Sequence, residues 1–198
     1  MTVVDLRRRQ AARVFTEAGA PVVVLVAMPI VISIHAAGTV LAGVGWGLLA
    51  ALFFGVIPFA YVLRGVRLGL WTDHHVSDRG RRKPVFFFSL ASMLAGLLVL
   101  ATAGAPRDLL AFLTTLLVEA VLALGVTLAW KVSLHAWVST IAGTALIVVY
   151  GPAAVLVWPL LAAVGWSRVE LRDHTAAQVA IGALLGVVTT AVILPVLS

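Results

Sequence analysis

The chain has no cysteine, and only 11% of its 198 residues are Asp, Glu, Lys or Arg. Without thiols there can be no disulfide-stapled scaffold, zinc-thiolate site or iron–sulfur cluster. So little charge also excludes a water-soluble globule, which needs far more polar surface, and a disordered tail, which needs charge to stay solvated. What fills the chain is apolar: 62% of residues are hydrophobic and the mean hydropathy is +1.12. This is the composition of an integral membrane protein. The net charge of +6 sits in short basic clusters between apolar runs, which points to anionic lipid head groups or phosphates as partners and away from nucleic acid.

A membrane-spanning helix takes about 20 apolar residues. Charge-free runs predict seven spans, at Ala18 to Ala37, Leu41 to Leu63, Val85 to Ala103, Leu109 to Trp130, Ala136 to Tyr150, Pro152 to Trp166 and Thr175 to Leu197, of which the fifth and sixth are short. Gly38-Thr39, Gly104-Ala105-Pro106 and Gly151-Pro152 supply breaks between them. The predicted fold class is therefore an all-α integral membrane protein, a bundle of six or seven transmembrane helices with an interfacial active site. The first apolar run is longer than the core of a secretory leader, so it reads as a span, and Arg7, Arg8, Arg9 and Arg13 before it read as interfacial anchors.

Ionisable groups are costly at bilayer depth, so their positions are informative. They gather in three predicted loops, Arg64 to Pro84, Lys131 to His135 and Ser167 to Gln178. Two predicted spans separate each loop from the next, which brings all three to one face of the membrane. Several Arg and Lys donors on one face suit a tetrahedral oxyanion, because guanidinium forks grip two oxygens at once. His174 and Gln178 are four residues apart at the start of the last span, so the amide can hold one imidazole nitrogen while the other faces a substrate. Ser133 and His135 add a hydroxyl donor and an acid at the mouth of the fifth span. The set reads as phosphoryl transfer without a metal or other cofactor.

In these loops the chain resembles the phosphatidic acid phosphatase type 2 superfamily, the lipid phosphate phosphatases related to vanadium haloperoxidases. Ser167-Arg168 followed by His174 matches the family's third motif, with Gln178 where the family has an acid. Val132-Ser133-Leu134-His135 stands for the second motif, with Leu134 in place of a glycine, and Asp78-Arg79-Gly80-Arg81-Arg82 before Lys83-Pro84 is the loosest match, to the first. The small residues from Gly182 to Gly186 follow the last motif as they do in the family. The resemblance implies one transmembrane domain over residues 1–198, with a motif-bearing core at 71–198 and an N-terminal helical hairpin at 14–65. It implies that His174 attacks phosphorus to form a phosphohistidine and that His135 protonates the leaving alkoxide. By the same resemblance, Arg79, Arg82, Lys83, Lys131, Ser133 and Arg168 hold the phosphate oxygens. Because Gln178 cannot balance an imidazolium, either Asp173 or Glu170 is expected to help or turnover is expected to be slow.

The implied substrate is a lipid phosphomonoester or diphosphate: phosphatidic acid, phosphatidylglycerophosphate, a polyprenyl phosphate or a prenyl-linked sugar phosphate. The excess of arginine on the motif-bearing face places that face in the cytoplasm, in a multi-pass protein of the cell's inner membrane. Two other readings stand beside this one. Asp73 and Asp78 could hold Mg²⁺ in a prenyl or alcohol transferase, or the polar loops could neutralise head groups in a lipid-binding or transport protein without catalysis. Lys131 and Arg172 could equally snorkel to head groups.

Overall fold

Runs of Val, Leu and Ala give the backbone no polar partner but itself, and in an apolar medium the helix is the form that satisfies every amide within one segment. The computed structural model describes residues 3–70 and 82–198, the side chains of Val3 and Arg82 excepted, and there the chain is all-helical. The helices are α1 (Val3–Ala18), α2 (Pro21–Ala36), α3 (Val40–Ala51), α4 (Ile57–Arg67), α5 (Arg82–Thr102), α6 (Arg107–Ala129), α7 (Leu134–Tyr150), α8 (Trp158–Glu170) and α9 (Ala176–Leu197). A π-helical turn, Leu52–Val56, joins α3 to α4, and a 3₁₀ turn, Pro152–Val157, leads into α8.

By length and composition, five segments among the described residues can cross a membrane: Val40–Arg67, Lys83–Thr102, Arg107–Ala129, Pro152–Glu170 and Ala176–Leu197. The bent pair formed by α1 and α2 makes a sixth if it crosses as one span. At 17 residues, α7 is apolar but shorter than a full span. Six spans is the lower of the six or seven expected; of the seven runs read from sequence, the fifth is the short α7, and the first is the 16-residue α2, which reaches span length only together with α1. Large apolar side chains lie bare on the outside, among them Leu156 at 81%, Leu160 at 62% and Val192 at 62% exposure, as lipid-facing surfaces require.

The loop boundaries also move: α4 runs on to Arg67, α5 begins at Arg82 and α7 at Leu134. Ser167 to Glu170 form the last turn of α8, so the third loop shrinks to the residues between Glu170 and Ala176. Polar residues at the end of a helix keep their amides in the helical ladder, and α8 simply runs on into the interface. Arg7 to Arg13 lie within α1.

The chain divides into two compact units. One comprises Leu25–Trp130 with the last two residues. Within it the Ser33 hydroxyl donates to the Gly43 carbonyl at 2.7 Å, tying α2 to α3. Pro58 has no N–H to give Phe53 in the π-helical register, and the Ser92 hydroxyl of α5 donates to that carbonyl instead, at 2.6 Å. Tyr61 and Phe88 stack at 4.1 Å between α4 and α5. Glu119, on α6, is 2% exposed.

The other unit joins the chain up to Val24 to Lys131–Val196. Its α1 packs along α8 through Ala12, Phe15 and Thr16, a stripe at helical spacing that Gly19 extends just past the helix end against Val164, with Phe15 edge-on to Trp166 at 6.4 Å. Gly182, Gly186, Thr190 and Leu194 form the buried stripe of α9. A Cβ at Gly182 would lie 2.6 Å from the Ser133 carbonyl oxygen, and one at Gly186 would lie 2.5 Å from that of Trp137. Hydrogen at both positions lets α9 press against the start of α7, where the Thr140 hydroxyl reaches the Ala183 carbonyl at 3.0 Å.

Candidate active site

Within this second unit, the ends of α7, α8 and α9 meet at one place. Lys131, just before α7, donates from Nζ to the Asp173 carbonyl at 2.8 Å, and the Ser133 N–H donates to the Gln178 carbonyl at 3.2 Å. The second and third polar loops are therefore in contact, although the chain between them runs through the short α7 and the span that ends in α8.

The turn after α8 aims the histidine. Arg172 adopts a left-handed conformation, φ 62°, and the N–H groups of Asp173 and His174 both return to the Arg168 carbonyl at 3.1 Å. A residue with a Cβ occupies that region at a cost on the order of 1 kcal/mol, and in exchange the chain reverses within three residues. Next, Thr175 and Gln178 cap α9 reciprocally: the Thr175 hydroxyl accepts from the Gln178 N–H at 3.3 Å, and Gln178 Oε1 accepts from the Thr175 N–H at 3.2 Å.

His174 Nδ1 lies 3.1 Å from the same Oε1. Because the Thr175 N–H can only donate, the Gln178 atom it meets must be oxygen, and His174 must then donate from Nδ1. In the neutral ring this leaves the lone pair on Nε2. A cap needed by the helix thus also fixes the tautomer that a nucleophilic imidazole requires.

A shallow cleft of about 300 Å³ opens beside this ring, lined by Lys131, Val169, Arg172, Asp173, His174, Thr175 and Gln178. Lys131 and Arg172 are exposed in it, so it carries cationic donors next to one imidazole.

Other predicted site residues stand elsewhere. Ser133 is completely buried; its Oγ caps α7 by accepting the Ala136 N–H at 3.4 Å, which makes it a helix cap. His135, in the first turn of α7, is 5% exposed, and Arg168 is also 5% exposed; neither lines the cleft. Arg168 Nη2 pairs with Asp173 Oδ2 at 2.9 Å and Nη1 donates to the Thr16 hydroxyl at 3.3 Å, while Nε is buried with no acceptor among the described residues. Glu170 pairs with Arg8 at 2.9 Å. The two acids expected to help His174 are thus held by arginines. Lys83 is exposed on α5 in the first unit, where Arg82 opens that helix, and Arg79 lies outside the described residues, as do Asp73 and Asp78. No three His, Asp or Glu side chains gather as a metal site among the described residues.

Sequence reasoning did not single out Thr16. Its hydroxyl lies 2.9 Å from that of Ser167, which donates to the Val164 carbonyl at 2.7 Å, so a directed chain of hydrogen bonds runs from Arg168 through Thr16 to Ser167. The signal in the sequence is the helical spacing of Ala12, Phe15, Thr16 and Gly19 among the arginines. Arg8, read as a membrane anchor, serves the same α1–α8 contact. In comparison with known proteins, no family model, curated protein or solved structure matches this chain.

Proposed function

We propose that the chain is a membrane-embedded lipid phosphate phosphatase, hydrolysing a lipid phosphomonoester or diphosphate through a phosphohistidine on His174. The observation that carries this reading is the His174 Nδ1 to Gln178 Oε1 contact of 3.1 Å at a cleft lined by Lys131 and Arg172. A nucleophilic histidine needs its second nitrogen held by an acceptor and needs cations where phosphate charge develops in the transition state, and both requirements are met here.

In this reading His174 Nε2 attacks phosphorus, the lipid alkoxide departs in line, and water then releases phosphate from the ring. Lys131 and Arg172 neutralise the phosphoryl oxygens from the cleft wall. The assignment of leaving-group protonation to His135, and of further phosphate contacts to Arg79, Arg82, Lys83, Ser133 and Arg168, rests on the sequence resemblance. The excess of arginine on the motif-bearing face supports a cytoplasmic site in the cell's inner membrane.

Phosphate release from a panel of lipid phosphates by purified protein tests the reading. Release that persists in EDTA and is inhibited by vanadate, a mimic of the in-line transition state, supports it. Strict dependence on Mg²⁺ favours the transferase built on Asp73 and Asp78, and the absence of any turnover favours a lipid-binding role.

A further inference from the structure

Arg168 reaches the cleft only through Asp173. The guanidinium is buried and absent from the cleft wall, whereas Asp173, its ion-pair partner at 2.9 Å, is 47% exposed and forms part of that wall. A carboxylate presents two oxygens to an arginine fork much as a phosphate does. Through one oxygen on Nη2 it therefore occupies the position a substrate oxyanion would take on Arg168, and the buried Nε–H remains as a donor that a second anionic oxygen would satisfy.

We propose that Asp173 is a specificity-determining residue, an internal carboxylate that phosphate must displace from Arg168. The inference rests on the phosphatase reading and adds a selection rule to it. Asp173 is five residues from Arg168 on a turn held by two N–H bonds to the Arg168 carbonyl, so its effective concentration at the guanidinium is high. A singly charged phosphodiester, the form of most membrane phospholipids, offers the arginine no more charge than the carboxylate it would replace. A phosphomonoester or terminal diphosphate is close to doubly charged at neutral pH and has three terminal oxygens, enough to win the exchange. Asp173 thereby screens the site from the surrounding phosphodiester head groups and admits the rare phosphomonoester. The left-handed Arg172 immediately before it is the backbone feature that turns Asp173 back toward Arg168.

The test uses the full chain, wild type and the variants Asp173→Asn, Asp173→Ser and Asp173→Glu, in two measurements. Calorimetric titration with orthophosphate reads anion binding without turnover. Phosphate release from a lipid phosphomonoester in phosphatidylcholine vesicles, titrated with phosphatidylglycerol, reads competition by a phosphodiester. The Asn and Ser variants are expected to bind orthophosphate roughly tenfold more tightly and to become inhibited by phosphatidylglycerol, while wild type and Asp173→Glu are not inhibited. Unchanged or weaker phosphate binding in both the Asn and Ser variants overturns the proposal, and if turnover persists the phosphatase reading stands without it. Tighter binding in a protein that hydrolyses no lipid phosphate supports the exchange at Arg168 and overturns the phosphatase reading alone.

Discussion

His174 and Gln178 face each other across the first turn of α9, and one amide oxygen serves both the imidazole and the Thr175 N–H at the helix cap. Helix stability and histidine orientation therefore depend on a single atom. Gln178→Leu should cost about 0.5–2 kcal/mol, read as a lower melting temperature in detergent, together with a deep loss of turnover. Gln178→Glu should retain the cap and keep or raise turnover, because a carboxylate stabilises the imidazolium that develops when the ring carries a proton.

Thr16 links two helices through the Ser167 hydroxyl and steadies Arg168. Replacing it with valine removes the hydroxyl at nearly constant volume and leaves the Arg168 Nη1 donor and the Ser167 Oγ acceptor unmatched, at about 1–3 kcal/mol. Thr16→Val should melt earlier than wild type and show a raised KM for lipid phosphate, whereas Thr16→Ser should restore both. An unchanged KM would show that Thr16 serves only the packing of α1.

The Gly182 and Gly186 stripe sets how closely α9 approaches α7. A leucine at Gly186 would meet the Trp137 carbonyl and the Thr140 hydroxyl, both within 2.5 Å of its Cβ, so the helices must separate at a cost of at least about 1–3 kcal/mol. Thermal melting should show this loss for Gly186→Leu. Gly125→Leu, where a Cβ meets nothing within 4 Å, should melt like wild type.

The chain's lack of cysteine makes its topology measurable. Arg9 is exposed on α1, so Arg9→Cys offers a single thiol on the element that carries Thr16. A membrane-impermeant maleimide should label it in inverted vesicles and leave it unlabelled in intact cells. The opposite pattern would place the site on the outer face.

Features set by local spacing were legible from sequence. The four-residue separation of His174 and Gln178 fixes their contact whatever surrounds them, and the two apolar runs between Lys131 and Asp173 bring the chain back beside its start. Features that depend on what packs against what were not. Arg168 and Ser167 read as loop residues facing a ligand, yet both are buried in the last turn of α8, because α1 lies over them. The arginines of α1 concealed that role, since their charge outweighs in any hydropathy profile the narrow stripe from Ala12 to Gly19. Ser133 is expected from the sequence resemblance to hold phosphate, but the start of α7 needs a cap and the hydroxyl supplies it.

The most direct test of the account is to trap the covalent intermediate. Wild type and His174→Ala would be mixed with a lipid phosphate labelled in its phosphoryl group and quenched in alkali, where a phosphohistidine survives. The account predicts acid-labile label on the peptide carrying His174 in wild type and none in His174→Ala, together with loss of phosphate release in that variant and its retention in His74→Ala, which replaces a histidine between Arg64 and Pro84 to which no site role is assigned. Label or turnover that persists in His174→Ala would contradict it.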